Sequence, residues 1–152
     1  MSLRDRISSE LKAAMKAKDA TKLATLRLIN AAIKDREIAA RSDTGATALT
    51  DADLVAVMTR MVKQRRDSAR AYEEAARLDL AEKELAEIAV IESFLPRQLD
   101  AEEMAKAVDA TITELGAASV RDIGKVMGAL KTRYAGQMDF GKAGALVKAR
   151  LA

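Results

Sequence analysis

Ile88-Ala-Val-Ile-Glu-Ser-Phe-Leu-Pro-Arg-Gln-Leu-Asp-Ala-Glu-Glu-Met104 holds the single proline of the chain, Pro96, in a sequence that otherwise reads as helix almost throughout. Proline has no backbone N–H, clashes with the carbonyl four residues back and pushes the preceding residue out of the α region. The helix entering this stretch is therefore expected to stop near Phe94 or Leu95. A new helix restarts at once: Asp100 is a good N-cap, Glu103 completes a capping box, and Glu102 and Glu103 favour the positive end of the helix dipole. The link from Leu95 to Leu99 is short, and Phe94, Leu95 and Leu99 are apolar enough to pack. The expectation is a tight hinge between two helical domains, residues 1–95 and 96–152.

Composition agrees with an all-α chain. Alanine, Leu, Lys, Arg and Glu dominate its 152 residues, and aromatics are only 3%, which disfavours a sheet. There is no cysteine, so disulfides and thiolate chemistry are excluded, and there is no histidine. The stretch from Met1 to Lys18 carries charges every few residues, and no run approaches 18 uncharged apolar residues, so neither secretion nor membrane spanning is indicated. A cytoplasmic location is the default expectation. The net charge of +3 is unevenly spread. Seven basic residues (Arg121, Lys125, Lys131, Arg133, Lys142, Lys148, Arg150) oppose two acidic ones (Asp122, Asp139) from Ser119 onward, a balance of 7 − 2 = +5. A basic tail on a slightly acidic body suits an anionic partner, nucleic acid first among them, although a solvated surface would look the same.

Helical periodicity fills in the rest. Ser2 caps a helix to about Lys18 with Leu3, Ile7, Leu11, Ala14 and Met15 along one stripe; Asp19 caps a second, Thr21 to Ala40, lined by Leu23, Leu26, Ile29, Ile33 and Ala32 or Glu37 and widened by Leu28. Arg41 to Thr50 reads as a mobile loop broken by Gly45. Thr50 or Asp51 caps the third and longest helix, Ala52 to about Arg77, with Leu54, Met58, Met61, Ala69 and Tyr72 inward. A fourth begins at Asp79 or Leu80, with Leu85, Ile88, Ile91 and Leu95 inward. Four helices with two long central ones predict an up-and-down bundle or, preferably, a long helical hairpin flanked by shorter helices. Beyond the hinge, three helices make a small domain: Ala101 to Leu115 closed by Gly116, Val120 to Tyr134 capped by Ser119 and closed by Gly136, and Phe140 to Leu151 capped by Asp139.

No catalytic residue is identified. Without His or Cys, acid/base chemistry would need a strongly shifted carboxylate or lysine, and no G-x-S-x-G or phosphate loop is present. The acidic residues Asp79, Glu82, Glu84, Glu87 and Glu92 read as a solvated helix face beside Lys83, and no metal or cofactor is expected. Arg60, Lys63, Arg66 and Arg70, with Arg77, form a basic stripe on the third helix. Arg70 can pair with Glu74, so this stripe is either a secondary nucleic-acid track or a self-neutralised face.

The segment Asp122-Ile-Gly-Lys-Val-Met-Gly128 puts Gly124 and Gly128 one turn apart on a helix, each costing about 1 kcal/mol relative to alanine. Small residues so placed admit a close approach, either by a neighbouring helix or by a ligand such as a phosphate-sugar chain. The glycine-containing turn Ala135-Gly-Gln-Met-Asp-Phe-Gly-Lys142 then leads into a helix N-terminus close in sequence to Lys125, Lys131, Arg133 and Lys142, an arrangement that could hold phosphate. With Lys148 and Arg150 these complete the candidate nucleic-acid contacts.

Three motifs together resemble the YqeY family along nearly the full chain: Thr25-Leu-Arg-Leu-Ile-Asn-Ala-Ala-Ile-Lys-Asp-Arg-Glu-Ile38, the run from Glu82 to Leu99, and Asp122 to Gly128 with Gly136, Asp139 and Lys142. Asp139-Phe-Gly-Lys142 departs from a tighter Asp-Gly-Lys. The resemblance implies a two-domain all-helical protein whose C-terminal part is similar to the tail of the tRNA-dependent amidotransferase B subunit and contacts the outer corner of tRNA. An aminoacyl-tRNA synthetase or amidotransferase is the implied protein partner. A carbon-nitrogen ligase label with glutamine as amido-N-donor would be inherited from the larger enzyme, whose active site lies in a domain absent here. Two functions of different class follow, a tRNA- or RNA-binding accessory module or a protein-interaction adaptor without direct RNA binding; a third, an amidotransferase in its own right, would require glutamine- and ATP-dependent turnover by the purified chain.

Overall fold

A computed structural model describes residues 2–44 and 49–152. The described residues form seven α-helices and one short 3₁₀ turn, with no strand: α1 Leu3–Ala17, α2 Ala20–Thr44, α3 Asp51–Glu74, α4 Leu78–Glu92, α5 Ala101–Leu115, the 3₁₀ turn Val120–Asp122, α6 Ile123–Arg133 and α7 Phe140–Leu151. The chain divides into two compact units, residues 1–95 and 96–152.

Local sequence sets most of the boundaries. Ser2 and Asp5, Thr50 and Asp53, and Asp100 and Glu103 form reciprocal capping boxes at α1, α3 and α5. Asp19 Oδ1 accepts the Lys22 N–H at 3.1 Å and starts α2. Gly116, at φ +64°, closes α5 in the left-handed conformation that costs glycine little. Two expectations change. Helix α2 continues through Arg41 to Thr44 and is one residue longer than α3, 25 against 24. Residues 45–48 of the expected mobile loop lie outside the described residues, and its last residue, Thr50, caps α3.

In the first unit the core is Leu3, Ile7 and Ala14 of α1, Leu26, Ile29 and Ile33 of α2, Leu54, Met58, Met61 and Val62 of α3, and Ile88, Ile91 and Phe94. The hairpin is α3 with α4, joined by only Ala75–Arg77, while α2 packs chiefly on α1 and α4. The pair Arg65–Glu87 at 2.9 Å and the pair Arg66–Glu92 at 3.1 Å run along the α3/α4 seam. Met15, Leu28 and Leu85 were expected inward but are 54%, 44% and 48% exposed. Each sits at the edge of a broad apolar stripe, and the neighbouring helix covers only its centre. Tyr72 is half-buried.

Pro96 marks the change of core. Helix α4 ends at Glu92 and leaves through a tightened turn, with Ser93, Phe94 and Leu95 N–H groups each bonding the carbonyl three residues back. Phe94 and Leu95 pack into the first core; Leu99 packs into the second, against Ala107, Val108, Val126, Leu130, Met138, Ala143, Val147 and Leu151. The second unit starts α6 three residues later than expected, because the Ser119–Asp122 cap first closes the 3₁₀ turn.

Candidate nucleic-acid interface

Helix α6 buries Val126 and Leu130 and exposes Gly124, Lys125, Gly128 and Lys131. Gly124, Gly128 and Lys131 recur at i, i+4 and i+7, so they form one stripe. A Cβ built on Gly124 or on Gly128 would meet nothing within 4 Å. The packing explanation for these two glycines is therefore wrong: among the described residues no neighbouring helix presses on them, and the α6 backbone is laid open along this stripe. Gly144 of α7 is the glycine beside a neighbour, with Met127 Cε 3.8 Å from its built Cβ.

The cap that starts this stretch is a small network. Asp122 accepts the Ala118 N–H at 2.9 Å and the Ser119 N–H at 3.4 Å, and these N–H groups hold its carboxyl below the ordinary range, with a smaller push from Lys125. Arg121, three residues before Gly124 in the 3₁₀ turn, is exposed and was not among the contacts expected from sequence. Its signal was available, three residues ahead of the first glycine.

Of the expected basic contacts, Lys125, Lys131, Lys142 and Lys148 are exposed and make no ion pair among the described residues. Arg133 and Arg150 differ. Arg133 is held by Glu114 through two parallel hydrogen bonds, and Arg150 Nε meets Asp109 Oδ1 at 2.8 Å. Both guanidiniums are thus largely neutralised from α5.

The expected phosphate site at the start of α7 does not form. Asp139 Oδ1 accepts the N–H groups of Gly141 at 2.8 Å and Lys142 at 3.3 Å, so a carboxylate already occupies the helix N-terminus and would repel a phosphate there. The same contact explains the Gly141 position, where an added Cβ would lie 3.1 Å from Asp139 Oδ1. Asp139-Phe-Gly-Lys142 starts the helix at Phe140.

On α3, Arg60, Lys63 and Arg70 are exposed, and among the described residues they make no ion pair; Arg66 is paired with Glu92 rather than left for a ligand, and the expected Arg70–Glu74 pair is absent. In the acidic set, Glu87 and Glu92 hold Arg65 and Arg66, and Asp79 holds Arg77. No group of three acidic residues among the described ones is placed to hold a metal ion. Chemically, the second unit offers four exposed lysines, two on α6 along its uncovered backbone and two on α7. That is suited to a polyanion and to salt-sensitive attraction.

Residues 4–151 match the family described as Yqey-like protein. Curated relatives are named "Altered inheritance of mitochondria protein 41, mitochondrial". The Eremothecium gossypii protein is 35% identical over 111 residues, 72% of this chain and 58% of the relative. Those of Clavispora lusitaniae and Candida glabrata are 42% identical over 86 residues and 38% over 89, covering 57% and 59% of this chain and 47% of each relative. The chain spans about half the length of these relatives. Their names overturn the cytoplasmic expectation, since they are mitochondrial proteins. That expectation rested on the lack of an apolar leader or span, which bears on secretion and insertion and not on an organelle; among the described residues no helix is long and apolar enough to cross a membrane.

Proposed function

The chain belongs to the YqeY family, and from that premise we propose that it is a tRNA- or structured-RNA-binding accessory module whose contact surface is the open stripe of α6. The observation that carries this reading is the empty space above Gly124 and Gly128 between Lys125 and Lys131. A sugar-phosphate chain can lie against a helix backbone only where no side chain stands in the way, and the two lysines supply the counter-charge. Lys142 and Lys148 of α7 extend the field, and Arg133 and Arg150 serve as struts to α5. With 3% aromatics the chain has little with which to stack bases, so recognition is led by shape and phosphate. The partner enzyme is an aminoacyl-tRNA synthetase or an amidotransferase, with no catalytic step assigned to this chain.

The test is fluorescence anisotropy of labelled tRNA with the full chain across salt concentrations. Lys125→Ala with Lys131→Ala is expected to weaken binding and to flatten the salt slope by about one unit per lysine, whereas Arg133→Ala changes the slope little. Absence of binding at low salt would overturn the reading.

One observation favours the adaptor as a second reading. Leu78 and Leu85, two turns apart on α4, are 62% and 48% exposed and present an apolar strip to a protein partner. Partners retained after nuclease treatment at high salt, and lost with Leu78→Glu and Leu85→Glu, would support it.

A further inference from the structure

The Pro96–Leu99 link makes contacts that a mere connector does not need. Gln98 Nε2 donates to the Gly136 carbonyl and to the Pro96 carbonyl, the latter at 3.2 Å. The next residue, Leu99, donates its N–H to the Gln137 carbonyl at 2.8 Å. Two consecutive residues of the link thus grip two consecutive carbonyls of the turn between α6 and α7. That turn is otherwise tied by the Gln137 N–H to Tyr134 carbonyl bond at 2.9 Å, and it passes through Gly136 at φ +74°. Gly136 is buried, so its carbonyl depends on Gln98 as a partner, and losing that partner carries a desolvation cost. The link is itself fixed on α5, since Arg97 makes a double hydrogen bond to Glu103, at 2.9 and 2.6 Å.

Helix α6 enters the turn just after Lys131 and α7 leaves it just before Lys142. Helix α7 packs on α6 and also touches the 3₁₀ turn that precedes it, so the connecting turn bears on how the two helices are staggered. The structure assigns Gln98 the role of a positioning residue: by bracing the α6–α7 turn through the Gly136 carbonyl, it fixes how the lysines of α6 stand relative to those of α7. This rests on the RNA reading for its consequence, while the brace itself concerns this chain alone.

Two readouts on the full chain keep these separable. The first is the backbone amide shifts and hydrogen exchange of Tyr134–Asp139; the second is tRNA affinity. Gln98→Leu is expected to speed exchange at Gln137 and Met138 about tenfold, the loss of one part-buried hydrogen bond, with α5 and α7 core amides unchanged, and to weaken tRNA binding several-fold. Gln98→Glu sharpens the test. Ionised, it points a carboxylate at the Gly136 carbonyl; protonated, its O–H can donate there, so its turn shifts should return toward wild type on acidification while those of Gln98→Leu do not. Unchanged turn amides in both variants would overturn the brace. Loosened turn amides with wild-type tRNA affinity would overturn the positioning role. If the wild-type chain binds no tRNA, the RNA reading falls and takes the positioning role with it, and the turn amides then decide the brace alone.

Discussion

Arg133 on α6 and Glu114 on α5 meet face to face, Nη1 to Oε2 at 2.6 Å and Nη2 to Oε1 at 2.8 Å. The fork of a guanidinium against a carboxylate is the strongest arrangement open to an exposed pair, and it raises the arginine and lowers the glutamate in pKa. It also removes Arg133 from the charges available to an anion. Arg133→Ala should therefore leave the salt slope of tRNA binding within about a tenth of wild type, while Glu114→Ala, which frees the guanidinium, should tighten binding at low salt. Anisotropy titrations of the two variants check both signs.

A pH prediction follows from Glu103. Arg97 first and the Asp100 N–H second hold its carboxyl down at about 2, against an ordinary 4.5. A group lowered in the folded state adds stability that is complete above the unfolded value and is lost as pH falls through the folded one. The melting temperature should therefore fall between about pH 4.5 and about pH 2, and Glu103→Gln should flatten that part of the curve. Parallel curves for variant and wild type would refute the assignment.

Ile91 and Leu130 are both fully buried, one in each core. Truncation to alanine should cost about 2–5 kcal/mol in either case. If residues 1–95 and 96–152 are separate domains, as proposed, Leu130→Ala should lower hydrogen-exchange protection only beyond Pro96, and Ile91→Ala only before it. A shared loss of protection would mean one cooperative unit.

How much of this was legible beforehand depends on range along the chain. The starts of α1, α3, α5 and α7 were readable because a cap and its partner lie within three residues. The fates of Arg133 and Arg150 were not, since Glu114 and Asp109 are 19 and 41 residues away. Arg66 and Glu92, 26 apart, were likewise invisible as a pair. The Asp139 position shows a different failure: the same residue was read as a cap and its helix as a phosphate site, although one set of N–H groups cannot serve both. Leu28 and Leu85 failed because periodicity gives a face and not the width that a neighbour covers. For Gly124 and Gly128 the sequence showed a cost needing an explanation, and only the open space above them removes a neighbouring helix as that explanation.

The central claim is that RNA lies against the α6 backbone at Gly124 and Gly128, and it is tested most directly by measuring thermal stability and tRNA affinity together for Gly124→Gln with Gly128→Gln. Among the described residues a side chain at either position would meet no neighbour within 4 Å of its Cβ, and glutamine is a far better helix former than glycine, so the melting temperature should rise. The account predicts that tRNA affinity falls at least several-fold in the same protein, because the new side chains cover the strip. A more stable variant that binds tRNA as tightly as wild type would contradict it.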